Sequence, residues 1–249
     1  MTDKRPDFTI RKVHTQKEEE KKPLDKFLMK MNSITAFVAP TNSGKTNLIV
    51  NLLNRKQMYR KRFDYIVLIS STYHIDDMWR KAKGIDEVFE RYDDEILLNI
   101  IDQQKANLQK EGREDTPNVL VILDDVIDSL PKNNSALNSL SMRLRHYKVT
   151  CWITTQKFNR LPTTLRNQIQ YYILFRAAAR NIKEREGITG EVGSMISEKA
   201  FLKLWESVGD KNYNFMVVAL RSPEKQMFRR EFQAYLKPVE PKEENSDTD

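Results

Sequence analysis

A single cysteine, Cys151, stands in the whole chain, inside an apolar run, so no intramolecular disulfide is possible. That usage suits a reducing compartment. Histidine is nearly as scarce: His14, His74 and His146 are scattered, and no Cys/His cluster has metal-ligand spacing. No apolar run approaches the roughly 18–20 residues that cross a bilayer. The first 26 residues alternate acids and bases and lack the apolar core of a signal peptide. The expectation is a chain that stays where it is made, neither secreted nor membrane-spanning. Internal repeats and a second domain are likewise missing.

What is present is enough for one sizeable α/β domain: 249 residues, 39% apolar and 31% charged. The net charge is +7, unevenly spread. Two lysines against five acids make residues 236–249 an acidic tail of charge −3, leaving +10 on the body. A basic body of this kind suits a binder of phosphate backbones, or an ordinary basic surface.

Three segments follow from composition. Residues 1–26 form a charged arm with one strand-like stretch at 8–13, residues 27–235 a folded domain, and residues 236–249 a tail expected to be disordered. Within the domain, short β-branched runs at 34–39, 65–70, 119–124, 149–155, 171–175 and 215–220 read as strands buried on both faces of a mostly parallel sheet. Helical patterns at 45–55, 94–110, 136–146 and 198–207 alternate with them. A last strand over 227–235, after a Ser222-Pro223 turn, is placed antiparallel to 215–220.

Chemistry concentrates at strand ends. Ala39-Pro40-Thr41-Asn42-Ser43-Gly44-Lys45-Thr46 follows the first strand and opens the first helix, and fits the Walker A pattern with alanine in place of the first glycine. Backbone N–H groups and the helix dipole cradle phosphates in such a loop. Gly44 permits close approach. Lys45 brings a point charge to the β- and γ-phosphates, and Thr46 supplies a hydroxyl ligand to Mg²⁺. Ala39 is tolerable there if its φ is negative.

Residues 119–125 place two acids at the end of a second buried strand. Ligands of open parallel sheets sit at the carboxyl ends of strands, so Asp124 should meet Lys45 and Thr46 on one edge. Asp124 is the magnesium-side carboxylate, and Asp125 the candidate base or water-orienting group. A third strand, 149–155, is followed by Gln156, whose amide suits a γ-phosphate sensor. ATP and Mg²⁺ are the expected cofactors, although no base-reading pocket is legible.

With these strand ends in place, the chain resembles the HerA/FtsK superfamily of P-loop ATPases, and within it the genome-packaging ATPases of poxvirus type found in large DNA viruses and virophages. Besides the two motifs, Arg143-Leu144-Arg145-His146, Ile153-Thr154-Thr155-Gln156 and Leu161-Pro162-Thr163-Thr164-Leu165-Arg166-Asn167 carry the resemblance, over about residues 33–235. It implies a RecA-like (ASCE) P-loop fold in which the Gln156 strand lies between the other two. It also implies a ring of copies, a hexamer, with ATP at subunit interfaces and an arginine finger from the neighbour. Arg145, Arg143 and Arg166 are the candidates, with Arg145 preferred. Related ATPases place glutamate where Asp125 stands, and aspartate is one methylene shorter.

The resemblance further implies double-stranded DNA as partner, capsid or vertex proteins at the ring, and a location in the host-cell cytoplasm, a virus factory or the virion. Candidate DNA contacts are Arg55-Lys56, Arg60-Lys61-Arg62, and residues 180–185, which lead into an expected flexible loop with Gly187, Gly190 and Gly193. Other readings stay open: a ring motor for conjugation, secretion or segregation, a helicase, or an ATP-binding assembly module with little turnover. A kinase fits the paired aspartates poorly. A GTPase is disfavoured, because no Asn-Lys-x-Asp motif occurs.

Overall fold

The computed structural model describes residues 24–127, 130 and 135–239. The strand-like stretch at 8–13, with most of the arm and most of the acidic tail, lies outside them. In chain order the elements are β1 (Ile34–Val38), α1 (Lys45–Asn54), β2 (Tyr65–Ser70), β3 (Glu87–Phe89), α2 (Asp94–Asp115), β4 (Val119–Asp124), α3 (Ser135–Tyr147), β5 (Val149–Thr155), α4 (Thr163–Arg166), β6 (Tyr171–Phe175), α5 (Ile182–Val192), α6 (Glu198–Glu206), β7 (Phe215–Ala219), α7 (Glu224–Met227), β8 (Phe228–Arg230) and β9 (Ala234–Tyr235).

The nine strands form one sheet in the order β3-β2-β4-β5-β1-β6-β7-β8-β9. The first six run parallel, and β7, β8 and β9 are added antiparallel. The continuous apolar runs are explained by burial from both sides: β1, β4, β5 and β6 are buried at every residue. Successive side chains take opposite faces. Ile34, Ala36 and Val38 of β1 join one core with residues from α2, α3, α5 and α6. Phe37 and Ala39 join a second with α1, Leu28, Met29 and Tyr59.

Two expectations need correction. The predicted strand over 227–235 is the end of α7 and a short hairpin, β8 and β9. Its antiparallel pairing with β7 is present, with Met216 opposite Arg230. The expected flexible loop at Gly187, Gly190 and Gly193 is helix α5 and its C-cap. The Asn181 side chain caps the helix by accepting from the Glu184 N–H. Two of the glycines there serve packing. A Cβ on Gly187 would lie 2.8 Å from Asn159 Oδ1, and one on Gly193 would lie 2.7 Å from both Phe201 and the Thr189 carbonyl.

Candidate active site

Parallel strands deliver their carboxyl ends to a common edge, and the predicted chemistry collects there. β1 ends at Val38, where the Ala39 N–H donates to the Thr155 carbonyl of β5 (3.1 Å). Among the turns of the loop, Asn42 takes φ 59° and Gly44 φ 92°, the left-handed region open to asparagine and glycine at little cost. Ala39 keeps a negative φ, as its methyl requires. Gly44 is the N-cap of α1, and Thr46 is half-buried in the first turn.

Lys45 is buried, and its Nζ donates to the carbonyls of Ala39 (2.8 Å) and Pro40 (3.1 Å). Burial lowers its pKa from the ordinary lysine value, while Asp125 and, less strongly, Asp124 pull it back up. The ammonium therefore sits in the field of both predicted carboxylates, although they come from a strand two places away in the sheet.

Asp124 is held by four donors. Oδ2 accepts from Ser70 Oγ (2.8 Å), the Trp79 indole N–H (2.9 Å) and, at 3.5 Å, Thr72 Oγ1. Oδ1 accepts from Thr154 Oγ1 (2.8 Å). Burial raises its pKa, and the hydrogen bonds from Thr154, Ser70 and Trp79 oppose that rise. A carboxylate offers about four acceptor sites, so Oδ2 is saturated and Oδ1 keeps capacity for a further partner. Mg²⁺ takes one or two protein oxygens and completes its shell with water and phosphate. Asp124 Oδ1 and the Thr46 hydroxyl are hard donors that fit such an ion.

Asp125 leaves the strand in the left-handed region, φ 52°, with its N–H on Thr154 Oγ1 (2.9 Å). One buried hydroxyl thus fixes both aspartates. Gln156 spans the gap to the loop: its Oε1 accepts from Thr41 Oγ1 (2.9 Å) and its Nε2 donates to Asp125 Oδ2 (3.2 Å). Thr41, the Gln156 amide and Asp125 form one hydrogen-bonded chain.

Sequence reasoning missed Ser70, Thr72, Trp79 and Thr154. Ser70 and Thr154 were detectable as hydroxyls closing apolar strands. Trp79, in a short helical turn at Trp79–Lys81, gave no local signal. The arginines are not gathered at this edge. Arg166 pairs with Glu191 (2.9 Å), donates to the Leu161 carbonyl and Thr163 Oγ1, and stacks over Phe158 at 5.2 Å. Arg143 and Arg145 are exposed on α3, which runs back from the ligand edge. The basic residues 55–62 lie at the opposite edge of the sheet, between α1 and β2, whereas residues 180–185 follow β6 at the ligand edge.

Strand order decides the class. A polar-tipped strand, β5, inserted between the strand of the phosphate loop and that of the paired aspartates is the arrangement of a P-loop ATPase of the RecA-like (ASCE) kind. The sequence profile of the poxvirus A32 protein matches residues 20–219, and the chain belongs to that family. Among curated protein sequences none matches.

Solved structures share the fold. The genome packaging NTPase B204 of Sulfolobus turreted icosahedral virus 2, in complex with AMP, superposes with a TM-score of 0.59 at 18% identity, over 85% of this chain and 100% of that one. In complex with ATP-gammaS it gives a TM-score of 0.56 at 20% identity, with the same coverage of both chains. The cytoplasmic domain of the type VII secretion ATPase EccC of Thermomonospora curvata gives 0.54 at 15% identity, over 84% of this chain and 26% of that one. No helix of the described residues is long and apolar enough to cross a membrane.

Proposed function

We propose that the chain is an ATP-driven motor that moves double-stranded DNA into a preformed viral capsid, hydrolysing ATP at the subunit interfaces of a homo-oligomeric ring, a hexamer. The single observation that carries the reading is Gln156, bonded to Thr41 of the phosphate loop on one side and to Asp125 on the other. Family membership and the packaging role of the structurally similar B204 supply the biological setting.

In this reading the loop amides and Lys45 hold the β- and γ-phosphates, and Asp125 orients the attacking water and takes up its proton. Thr46 and Asp124 would hold Mg²⁺, which would supply charge neutralisation on the phosphates. Gln156 senses the γ-phosphate, and its strand leads directly into the turn Phe158–Arg160, where the Phe158 N–H donates to the buried Glu184 carboxylate of α5 (2.6 Å). A change at Gln156 thereby reaches Lys183 and Arg185 on α5, a basic group suited to phosphate contacts that carry no sequence information. Arg143 and Arg145 are preferred as trans arginines over Arg166, which its own chain holds. Capsid or vertex proteins would anchor the ring in the host-cell cytoplasm or virus factory.

The test is ATP hydrolysis by the purified chain with and without double-stranded DNA, beside Lys45→Ala and Asp125→Asn. Turnover that rises with DNA and disappears in both variants is expected. ATP binding and assembly without turnover, with DNA present, would favour the assembly-module reading that the short Asp125 side chain keeps open. Activity that survives Lys45→Ala would overturn the site.

A further inference from the structure

The sheet order dictates which way a nucleotide runs across the loop. The strand of Asp124 and Asp125, and the strand that ends beside Gln156, both lie on one flank of β1, so the γ-phosphate end belongs on that flank. The sugar and base then leave on the other flank, towards β6 and β7. Because β7 is antiparallel to β6, its first residue, Phe215, returns to the edge at which β1 ends. Residues 212–214 are carried with it to the side of the loop.

A cavity of about 270 Å³ opens there, lined by Asn42, Ser43, Gly44, Asn47, Asn212 and Tyr213. Ligand sites begin at roughly 300 Å³, so the space suits one end of a nucleotide rather than the whole. Tyr213 is 56% exposed at its rim, and a Cβ on Gly44 would meet the Tyr213 Cβ at 3.7 Å, an ordinary van der Waals contact. The ring is carried on fixed backbone. The Arg176 N–H donates to the Asn214 carbonyl (2.7 Å), the Ala177 N–H to the Asn212 carbonyl (3.4 Å), and the Asn214 side chain to Glu231 (3.0 Å). Lys211 Nζ lies over one face of the ring, 5.7 Å from its centroid.

We propose that Tyr213 is the stacking platform for the base of the bound nucleoside triphosphate, with the Asn47 and Asn212 amides facing its sugar or base edge. The inference rests on reading residues 39–46 as the phosphate loop and adds the base subsite to it. A preorganised aromatic ring stacks on any base, and removing such a ring weakens binding by about 5- to 150-fold.

Titration calorimetry of the full chain with Mg²⁺ separates the two readings, using ATP-gammaS and inorganic tripolyphosphate as probes. Tyr213→Ala is expected to weaken ATP-gammaS by about 5- to 150-fold and to leave tripolyphosphate unchanged, while Tyr213→Phe binds both as wild type does. Wild-type affinity for ATP-gammaS in Tyr213→Ala, or an equal loss of both probes, would overturn the base platform; the second outcome would make Tyr213 a packing residue of the loop. Lys45→Ala must weaken both probes. If it weakens neither, the phosphate-loop reading itself falls.

Discussion

Asp124 shows how a single side chain is balanced between stability and chemistry. It is buried with its charge, and four donors compensate its lost hydration. Burial still raises its pKa. A carboxyl whose pKa is higher in the folded than in the unfolded state lends stability below the unfolded value, and that stability is lost as pH rises through the folded value. Each tenfold change in proton affinity between the two states corresponds to about 1.4 kcal/mol. Asp124→Asn has no charge to bury, and the Thr154 hydroxyl can accept from the new amide where it had donated. The variant is therefore expected to melt about 2–4 °C above wild type near neutral pH in the absence of Mg²⁺ and nucleotide. The gap should close as pH falls through the range in which Asp124 takes up its proton. Calorimetric melting across pH 4 to 8 checks this, and a gap independent of pH would show that the carboxylate is not penalised by burial.

Helix α5 illustrates what an element gains from residues that disfavour it. Glycine inside a helix costs about 1 kcal/mol relative to alanine, and a segment with Gly187, Gly190 and Gly193 reads as loop. The helix forms because Asn181 caps its first turn and its buried Glu184 binds it to the rest of the domain through the Phe158 N–H. Gly187 and Gly193 lie where a Cβ would meet Asn159 or Phe201, whereas a Cβ on Gly190 meets nothing within 4 Å. Two substitutions should therefore act in opposite directions. Gly190→Ala is expected to stabilise by about 0.5–1 kcal/mol, and Gly193→Ala to destabilise by about 1–3 kcal/mol through overpacking. Urea unfolding midpoints decide it. Equal, negligible effects at both positions would return the segment to a flexible loop.

For the molecule as a whole, the question is whether one chain completes its own site. Lys45, Asp124, Asp125 and Gln156 come together within a single copy, and Arg166 is held by its own Glu191. If Arg143 or Arg145 acts across a ring interface, the responsible Arg→Ala variant binds ATP-gammaS normally while turnover falls about 10³-fold or more. Mixing that variant with Lys45→Ala should restore a fraction of the activity, since each copy supplies what the other lacks. Steady-state ATPase assays on mixed subunits measure it. Absence of any recovery for both arginines would place the transition-state cation elsewhere.

Local chemistry in the chain was sufficient for much of this protein. Apolar runs of β-branched residues define strands whatever surrounds them, because burial on both faces tolerates nothing else. A glycine followed by lysine and threonine after such a run reads as a phosphate loop, and two aspartates ending another run read as its acidic partner. The order of the strands, with Gln156 between, entered through family resemblance, and the sheet bears it out. Long-range pairing alone decided the rest. The Trp79 indole and the Ser70 hydroxyl reach Asp124 across 45 and 54 residues of sequence. Tyr213 meets the loop only because an antiparallel strand turns back to the same edge. The helix α5 exists because the long-range bond from the Phe158 N–H to Glu184 and close packing outweigh poor propensity. Hydrogen bonds and contacts of that kind depend on where the backbone returns, which no local window of sequence contains.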